Sequence, residues 1–276
     1  MVSFKALTTA ALLATSALAA PHGHIHDHMH RRENTRTTTT TTSSKRGAAY
    51  NDASLVSSLS SVSWAYDWNM YTMGDLPSHV EFVPMLWGSK MFTGWFAAIQ
   101  TLLNSGSEYI LGFNEPDMAS QASMSSTDAA RYYKEFITPL SGQAKLVSPA
   151  VTNGVGADMG LDWMRNFLNS CTDCGVTALA VHWYGDSAED FKTFVGKAVD
   201  LATEFNLEGG TWVTEFALNS DLSGTGDTST SSDFLGEVLP WLDEQSGVAR
   251  YAYFMCADGY LLSGKELSLS GKTYSA

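Results

Sequence analysis

Two glutamates, one hundred positions apart, carry the chemistry that this chain could perform. Glu115 lies in Tyr109-Ile110-Leu111-Gly112-Phe113-Asn114-Glu115-Pro116-Asp117, and Glu215 in Thr211-Trp212-Val213-Thr214-Glu215-Phe216-Ala217. Each closes a short apolar run. Two carboxyl groups facing each other across a cleft are suited to breaking a glycosidic bond: one protonates the leaving oxygen while the other attacks the sugar or activates water. A retaining reaction requires the pair to stand about 5–5.5 Å apart. The fold must therefore bring together residues that are distant in sequence.

The spacing of apolar runs supplies such a fold. They span Gly47 to Tyr50, Val62 to Tyr66, Glu81 to Trp87, Tyr109 to Phe113, Lys145 to Val151, Ala178 to Trp183, Thr211 to Phe216 and Arg250 to Cys256. Continuous apolarity over so few residues suits strands buried on both faces, as in a parallel sheet. Helical patterns alternate with them at Phe92 to Leu103, Thr127 to Leu140, Leu161 to Leu168, Asp190 to Phe205 and Asp233 to Leu242. Eight strands in βα order predict an α/β fold, a compact (β/α)8 TIM barrel. The connections Asn51 to Ser61 and Asp67 to Val80 are short, so the first two helices should be abbreviated. No Gly-x-Gly-x-x-Gly follows the first strand, which argues against a dinucleotide fold. Ser220 to Ser232, rich in Ser, Thr, Gly and Asp, reads as a mobile loop.

In such a barrel the active site gathers at the carboxyl ends of the strands. Those ends offer Asn51, Tyr66, Trp68, Trp87, Asn114, Glu115, Asn153, His182, Trp183, Tyr184, Glu215 and Phe254. Acids, amides and flat rings together fit a sugar, whose C–H faces stack on aromatics and whose hydroxyls need polar partners. Asn114 is placed to bond a sugar 2-hydroxyl, and His182 or Tyr184 to donate to Glu215. Duller roles stay open: Trp87 and Trp183 could cap the core, and His182 could be structural. Asp117 reads as a loop residue rather than a third acid.

Outside the barrel, Lys5, the apolar stretch Ala6 to Leu18 and the small residues Ala17, Ala19 and Ala20 predict a signal peptide over residues 1–19. The expectation is a secreted protein, extracellular or in a cell wall. Residues 20–46 hold alternating histidines and the run Thr37 to Thr42, which predicts a disordered propeptide or linker. It could bind a transition metal or act as a solvated spacer. Lys45-Arg46 reads as a processing site that would leave Gly47 to Ala276 as the catalytic domain. That domain holds ten Lys plus Arg against 27 Asp plus Glu, a net of −17. Such a charge excludes nucleic acid and anionic membranes as natural partners and fits a neutral polysaccharide. The composition, 44% apolar and 12% aromatic, supports a large core, and a monomer is expected. Cys171 and Cys174 are close enough in sequence to bridge; Cys256, in an apolar run, reads as a buried thiol. The three cysteines offer too few ligands for zinc, and neither a metal nor a cofactor is expected.

Four segments carry a resemblance: Leu111 to Asp117, Leu146 to Asn153, Val181-His182-Trp183-Tyr184 and Trp212 to Phe216. With Tyr50-Asn51, Val83 to Gly88 and Val238 to Leu242, they resemble glycoside hydrolase family 128, the group containing the alkali-sensitive-linkage type catalytic domain. The resemblance runs from about Arg46 to the C-terminus. It implies a (β/α)8 barrel, a retaining mechanism on β-1,3-glucan, Glu115 as acid/base and Glu215 as nucleophile. Endo action is the expectation. The rivals are a hydrolase of β-1,4- or β-1,6-linked glucan and a wall-binding protein without turnover.

Overall fold

The computed structural model describes residues 44–223 and 228–276. The expected signal peptide, the histidines and the threonine run lie outside the described residues. Eight strands run parallel in one sheet: β1 (Arg46–Tyr50), β2 (Trp64–Tyr66), β3 (Glu81–Phe82), β4 (Tyr109–Ile110), β5 (Lys145–Val151), β6 (Val176–Gly185), β7 (Thr211–Leu218) and β8 (Val248–Cys256). Their spatial order is β3-β2-β1-β8-β7-β6-β5-β4. Past Pro84, a parallel bridge between Met85 and Leu111 joins the two edges. Leu111 N–H donates to the Pro84 carbonyl at 2.9 Å, and Leu86 N–H to the Leu111 carbonyl at 3.1 Å. The sheet is a closed (β/α)8 barrel.

Helices α1 (Ala53–Val56), α2 (Trp95–Asn104), α3 (Ser126–Phe136), α4 (Gly160–Ser170), α5 (Ala188–Glu204), α6 (Ser229–Glu244) and α7 (Leu269–Ser275) follow in turn. The first is a single turn, and no helix stands between β2 and β3, in line with the short connections. Two features escaped the sequence pattern: α7 and the small hairpin β9 (Leu262–Ser263) and β10 (Glu266–Leu267) that precedes it. Of the expected mobile loop over Ser220–Ser232, residues 224–227 lie outside the described residues, and both flanks fall in regular elements. Asn219–Ser223 form a 3-10 turn and α6 begins at Ser229, because Thr228 caps it by accepting from Ser231 N–H at 3.1 Å.

Strand alternation separates two cores. Ala178 and Ala180 of β6 face the barrel interior with Ala49, Trp64, Tyr66, Val83, Met85, Leu111, Val147, Trp212 and Ala252. Leu179, Val181 and Trp183 face outward and pack under the helices. Alanines on several strands leave room for the bulky Trp64, Trp212 and Tyr66 to fill the interior. Cys171 and Cys174 are bonded, and Cys256 is a buried free thiol. No helix of the described residues is long and apolar enough to cross a membrane.

One boundary changes. Arg46 belongs to β1 opposite Tyr251, and Lys45 donates to the carbonyls of Leu242, Asp243 and Gln245 at 3.0, 2.9 and 2.7 Å. Arg46 also bonds the Tyr251 hydroxyl and pairs with Asp243 at 3.1 Å. The pair expected to be a cleavage site is thus built into the base of the barrel. The folded domain extends N-terminal of Gly47, at least to Lys45.

Candidate active site

Both glutamates reach the mouth of the barrel through departures from regular strand. In β7 the register to β6 runs Val181↔Val213 and then His182↔Glu215, so Thr214 is an inserted residue. Regular alternation from inward-facing Trp212 would turn Glu215 away; the bulge turns it inward beside His182. Glu115 follows the short β4 in a left-handed conformation, φ +42°, with its N–H donating to the Ala150 carbonyl at 2.8 Å. Gly112 makes that approach feasible, since a Cβ there would lie 2.6 Å from Pro149 N.

The result is a tight cluster. His182 Nδ1 lies 2.8 Å from Glu115 Oε1, and its Nε2 lies 3.4 Å from Glu215 Oε1, in ion-pair range but not aligned for a hydrogen bond. One oxygen of each acid and a His182 nitrogen all fall within 4.8 Å of one another. Glu215 is held further by the Trp68 indole N–H at 2.7 Å and by the Tyr184 hydroxyl, a short contact. The Tyr66 hydroxyl donates to the Thr214 carbonyl at 2.8 Å and stands 3.5 Å from Glu215 Oε1. Glu115 and Glu215 are 6% and 5% exposed, so these contacts act in a medium that screens charge weakly.

Electrostatics follow from this crowding. Burial works to lower the His182 pKa, but the charge of Glu215, the bond to Glu115 and the charges of Glu115 and Asp117 outweigh it, and the imidazole is held above its ordinary range. Burial and the neighbouring Glu215 push the Tyr184 and Tyr66 phenols well up, so both keep their protons and remain donors. Glu115, His182 and Glu215 have the makeup of a metal cluster, yet their atoms already serve each other and the surrounding donors.

A cavity of about 260 Å³ opens over the pair, lined by Asn51, Trp68, Trp87, Asn114, Glu115, Gln121, Glu215, Phe254 and Met255. Asn114 is buried and its Oδ1 has no partner among the described residues, while its Nδ2 leans on Gln121 at 3.4 Å. Tyr66, His182 and Tyr184 touch the acids and do not line the cavity. Two expected sugar contacts lie elsewhere. Trp183 is 2% exposed and packs against Phe191 and Phe234 on the outer face, because it alternates with His182 and Tyr184. Asn153 accepts from Tyr184 N–H at 3.2 Å and donates to the Tyr184 carbonyl at 3.0 Å, which clamps the end of β6. Asp117 accepts from the Thr152 hydroxyl at 2.6 Å and Gly160 N–H at 2.9 Å, a loop-holding role as expected. Gln121 and Met255 were missed: Gln121 lies in the loop after Glu115, and Met255, beside Phe254 near the end of β8, is an apolar residue that no motif marks.

Comparison with known proteins decides the family. A model described as glycosyl hydrolase catalytic core matches residues 47–274. A GH128 (subgroup III) curdlan-specific exo-β-1,3-glucanase from Blastomyces gilchristii, solved with glucose, shares 40% identity over 85% of this chain and 98% of its own, with a TM-score of 0.78. The chain belongs to glycoside hydrolase family 128. A subgroup II endo-β-1,3-glucanase from Sorangium cellulosum is 28% identical over 84% of the chain and 98% of its own, with a TM-score of 0.69. Alkali-sensitive linkage protein 1 of Schizosaccharomyces pombe is 28% identical over 198 residues, 70% of this chain. The match spans only 34% of that longer relative. The protein is a glycoside hydrolase, and the cluster at the barrel mouth is its candidate active site.

Proposed function

We propose that this glycoside hydrolase cleaves β-1,3-glucan with retention, by double displacement. The observation that carries the mechanism is the closeness of the two acids, within 4.8 Å oxygen to oxygen, against about 5–5.5 Å between carboxyl groups for a retaining pair. An inverting pair stands farther apart, about 6.5–9.5 Å. Glu215 accepts from the Trp68 indole and the Tyr184 hydroxyl, which fixes its orientation as a nucleophile needs. Among the described residues the Glu115 carboxyl is hydrogen-bonded to His182 alone, which suits a group that must give up and regain a proton.

In the first step a Glu215 oxygen attacks the anomeric carbon. The bond to the leaving sugar oxygen breaks, and Glu115 supplies that oxygen with a proton. In the second step water attacks the same carbon, Glu115 takes its proton, and the ester to Glu215 is released. Asn114, with its Oδ1 turned to the cavity, accepts from the sugar 2-hydroxyl, Trp87 supplies a ring face, and Trp68 forms part of the wall while it holds Glu215. The substrate assignment draws on the relatives, which include β-1,3-glucanases of both exo and endo action. The relative at 40% identity is the exo enzyme, which favours attack from chain ends over the endo action expected from the sequence. Secretion to a wall or medium, where such a polymer is found, completes the reading.

Glu215→Gln should abolish hydrolysis of laminarin and curdlan, while wild type releases reducing sugar from them in preference to β-1,4- and β-1,6-glucans. Near wild-type turnover in that variant, or preference for another linkage, would overturn the reading. The size of the first products separates exo from endo action.

A further inference from the structure

Trp68 holds Glu215 in place, yet its own backbone is strained. Its φ is +56°, a left-handed conformation that a bulky side chain avoids. Such a conformation persists only where its surroundings over-determine it. Those surroundings converge on Asp67, a residue with no place in the cavity. Its Oδ1 accepts from Asn69 N–H at 3.2 Å and its Oδ2 from Met73 N–H at 3.1 Å, so the carboxyl closes the turn in which Trp68 sits. The Asn69 carbonyl then accepts from Met85 N–H at 2.9 Å, which ties the turn to the barrel rim. Tyr66 on one side and Phe254 on the other, with ring centres 5.2 and 5.8 Å away, fix the indole plane.

Asp67 is an unusual choice for a loop. It is 8% exposed, and no ion pair reaches it among the described residues. Burial pushes its carboxyl up to about 7, while the Asn69 N–H works the other way. A buried acid without a cation destabilises a fold unless it holds something in return.

We infer that Asp67 is a positioning residue for the reaction: it locks the 67–73 turn so that the strained Trp68 delivers its indole N–H to Glu215. The inference rests on Glu215 as the nucleophile and adds the device that orients it. Asp67 touches neither substrate nor Glu215 and acts only through Trp68.

A double-mutant cycle tests this: Asp67→Asn, Trp68→Phe and the pair, assayed on laminarin across pH, with melting curves for each. Each single change should lower kcat roughly tenfold, the worth of one hydrogen bond to a charged group, with KM within about twofold. Both should shift the acid limb of the pH–rate profile in the same direction. The pair should be no slower than Trp68→Phe alone, because residues that act through one contact are not additive. Losses that multiply in the pair, or a lowered melting temperature with kcat and pH profile unchanged, would overturn the inference. Asp67→Ser, which is too short to span both N–H groups, gives a second cycle should Asp67→Asn fail to fold. Wild-type turnover in Glu215→Gln refutes the nucleophile itself; full dependence on Glu215 with a multiplicative cycle refutes only the role of Asp67.

Discussion

At both mouths of the barrel charge is taken out of water, and the two ends neutralise it differently. At the amino ends of the strands Arg250 pairs with Glu81 at 2.7 Å. Its guanidinium lies 4.3 Å from the ring centre of Tyr109 and 4.6 Å from that of Trp212. One positive group meets one negative group, and aromatic faces cover the remainder. At the carboxyl ends two acids crowd a single histidine, and neither meets a lysine or arginine among the described residues. The floor is balanced and the mouth is not. That imbalance is what a proton donor and a nucleophile require, and the left-handed Trp68 and Glu115 are the local strain that accompanies it.

Removing an acid from the mouth should have the largest effect, confined to chemistry. Glu115→Gln should slow laminarin hydrolysis by about 10³–10⁴-fold, near the upper range for general acid–base catalysis. Its melting temperature should not fall, since the amide keeps the size of the side chain and an oxygen to face His182 while one of two crowded acids is removed. A melting point several degrees lower would show that the mouth, too, is balanced. At the floor the pattern should invert. Arg250→Met leaves the half-buried Glu81 with the Glu108 N–H at 3.0 Å but no counter-charge, and should cost about 1–3 kcal/mol of stability. At low temperature its turnover per folded molecule should match wild type. A kinetic defect there would break the division between the two ends.

The pH dependence of stability sharpens the same contrast. His182 and Asp67, both at the mouth, have raised pKa values in the fold. A raised value means that the fold holds the proton more tightly than the unfolded chain. The stability this provides is complete below the unfolded value and is lost as pH rises through the folded one. For Asp67 that window runs from the ordinary 3.8 to about 7. The melting temperature should therefore decline between mildly acidic and slightly alkaline buffer, by an amount on the order of a few degrees. Asp67→Asn should flatten the curve. A melting temperature that rises over this range in wild type would contradict the assignment.

How much of this was legible beforehand depended on regularity. The eight strands, the barrel and the two acids could be read because apolar runs and strand-end motifs follow simple periods. His182 and Tyr184 were placed near Glu215 by the same logic. Trp183 was misplaced because strand ends were read as a list of residues without their alternation, which sends it to the outer face. The bulge at Thr214 left no mark in the sequence, so the side of the barrel that Glu215 faces followed only from its motif. Asp67 was passed over for a related reason: its role is to bond backbone N–H groups across a turn, and no residue pattern announces that. Asn153 had the right chemistry for a sugar, but the fold uses it on the backbone of Tyr184.

The smallest expected effect concerns Lys45-Arg46, where a sequence motif and the structure point in opposite directions. Lys45 gathers three carbonyls at the end of α6, where the helix dipole favours a positive charge. Its own carbonyl accepts from Tyr251 N–H at 2.9 Å and from the Trp64 indole at 3.1 Å. A protease must draw several residues around the scissile bond into an extended strand, which would require pulling the first strand out of the barrel. The folded protein should therefore resist a dibasic-specific protease at Arg46, and Lys45→Met should lower stability by about 1 kcal/mol, or roughly 2–4 °C. N-terminal sequencing after digestion reads the first outcome and a melting curve the second. A clean cut before Gly47 with full retention of activity and melting temperature would show that the base of the barrel does not depend on the pair.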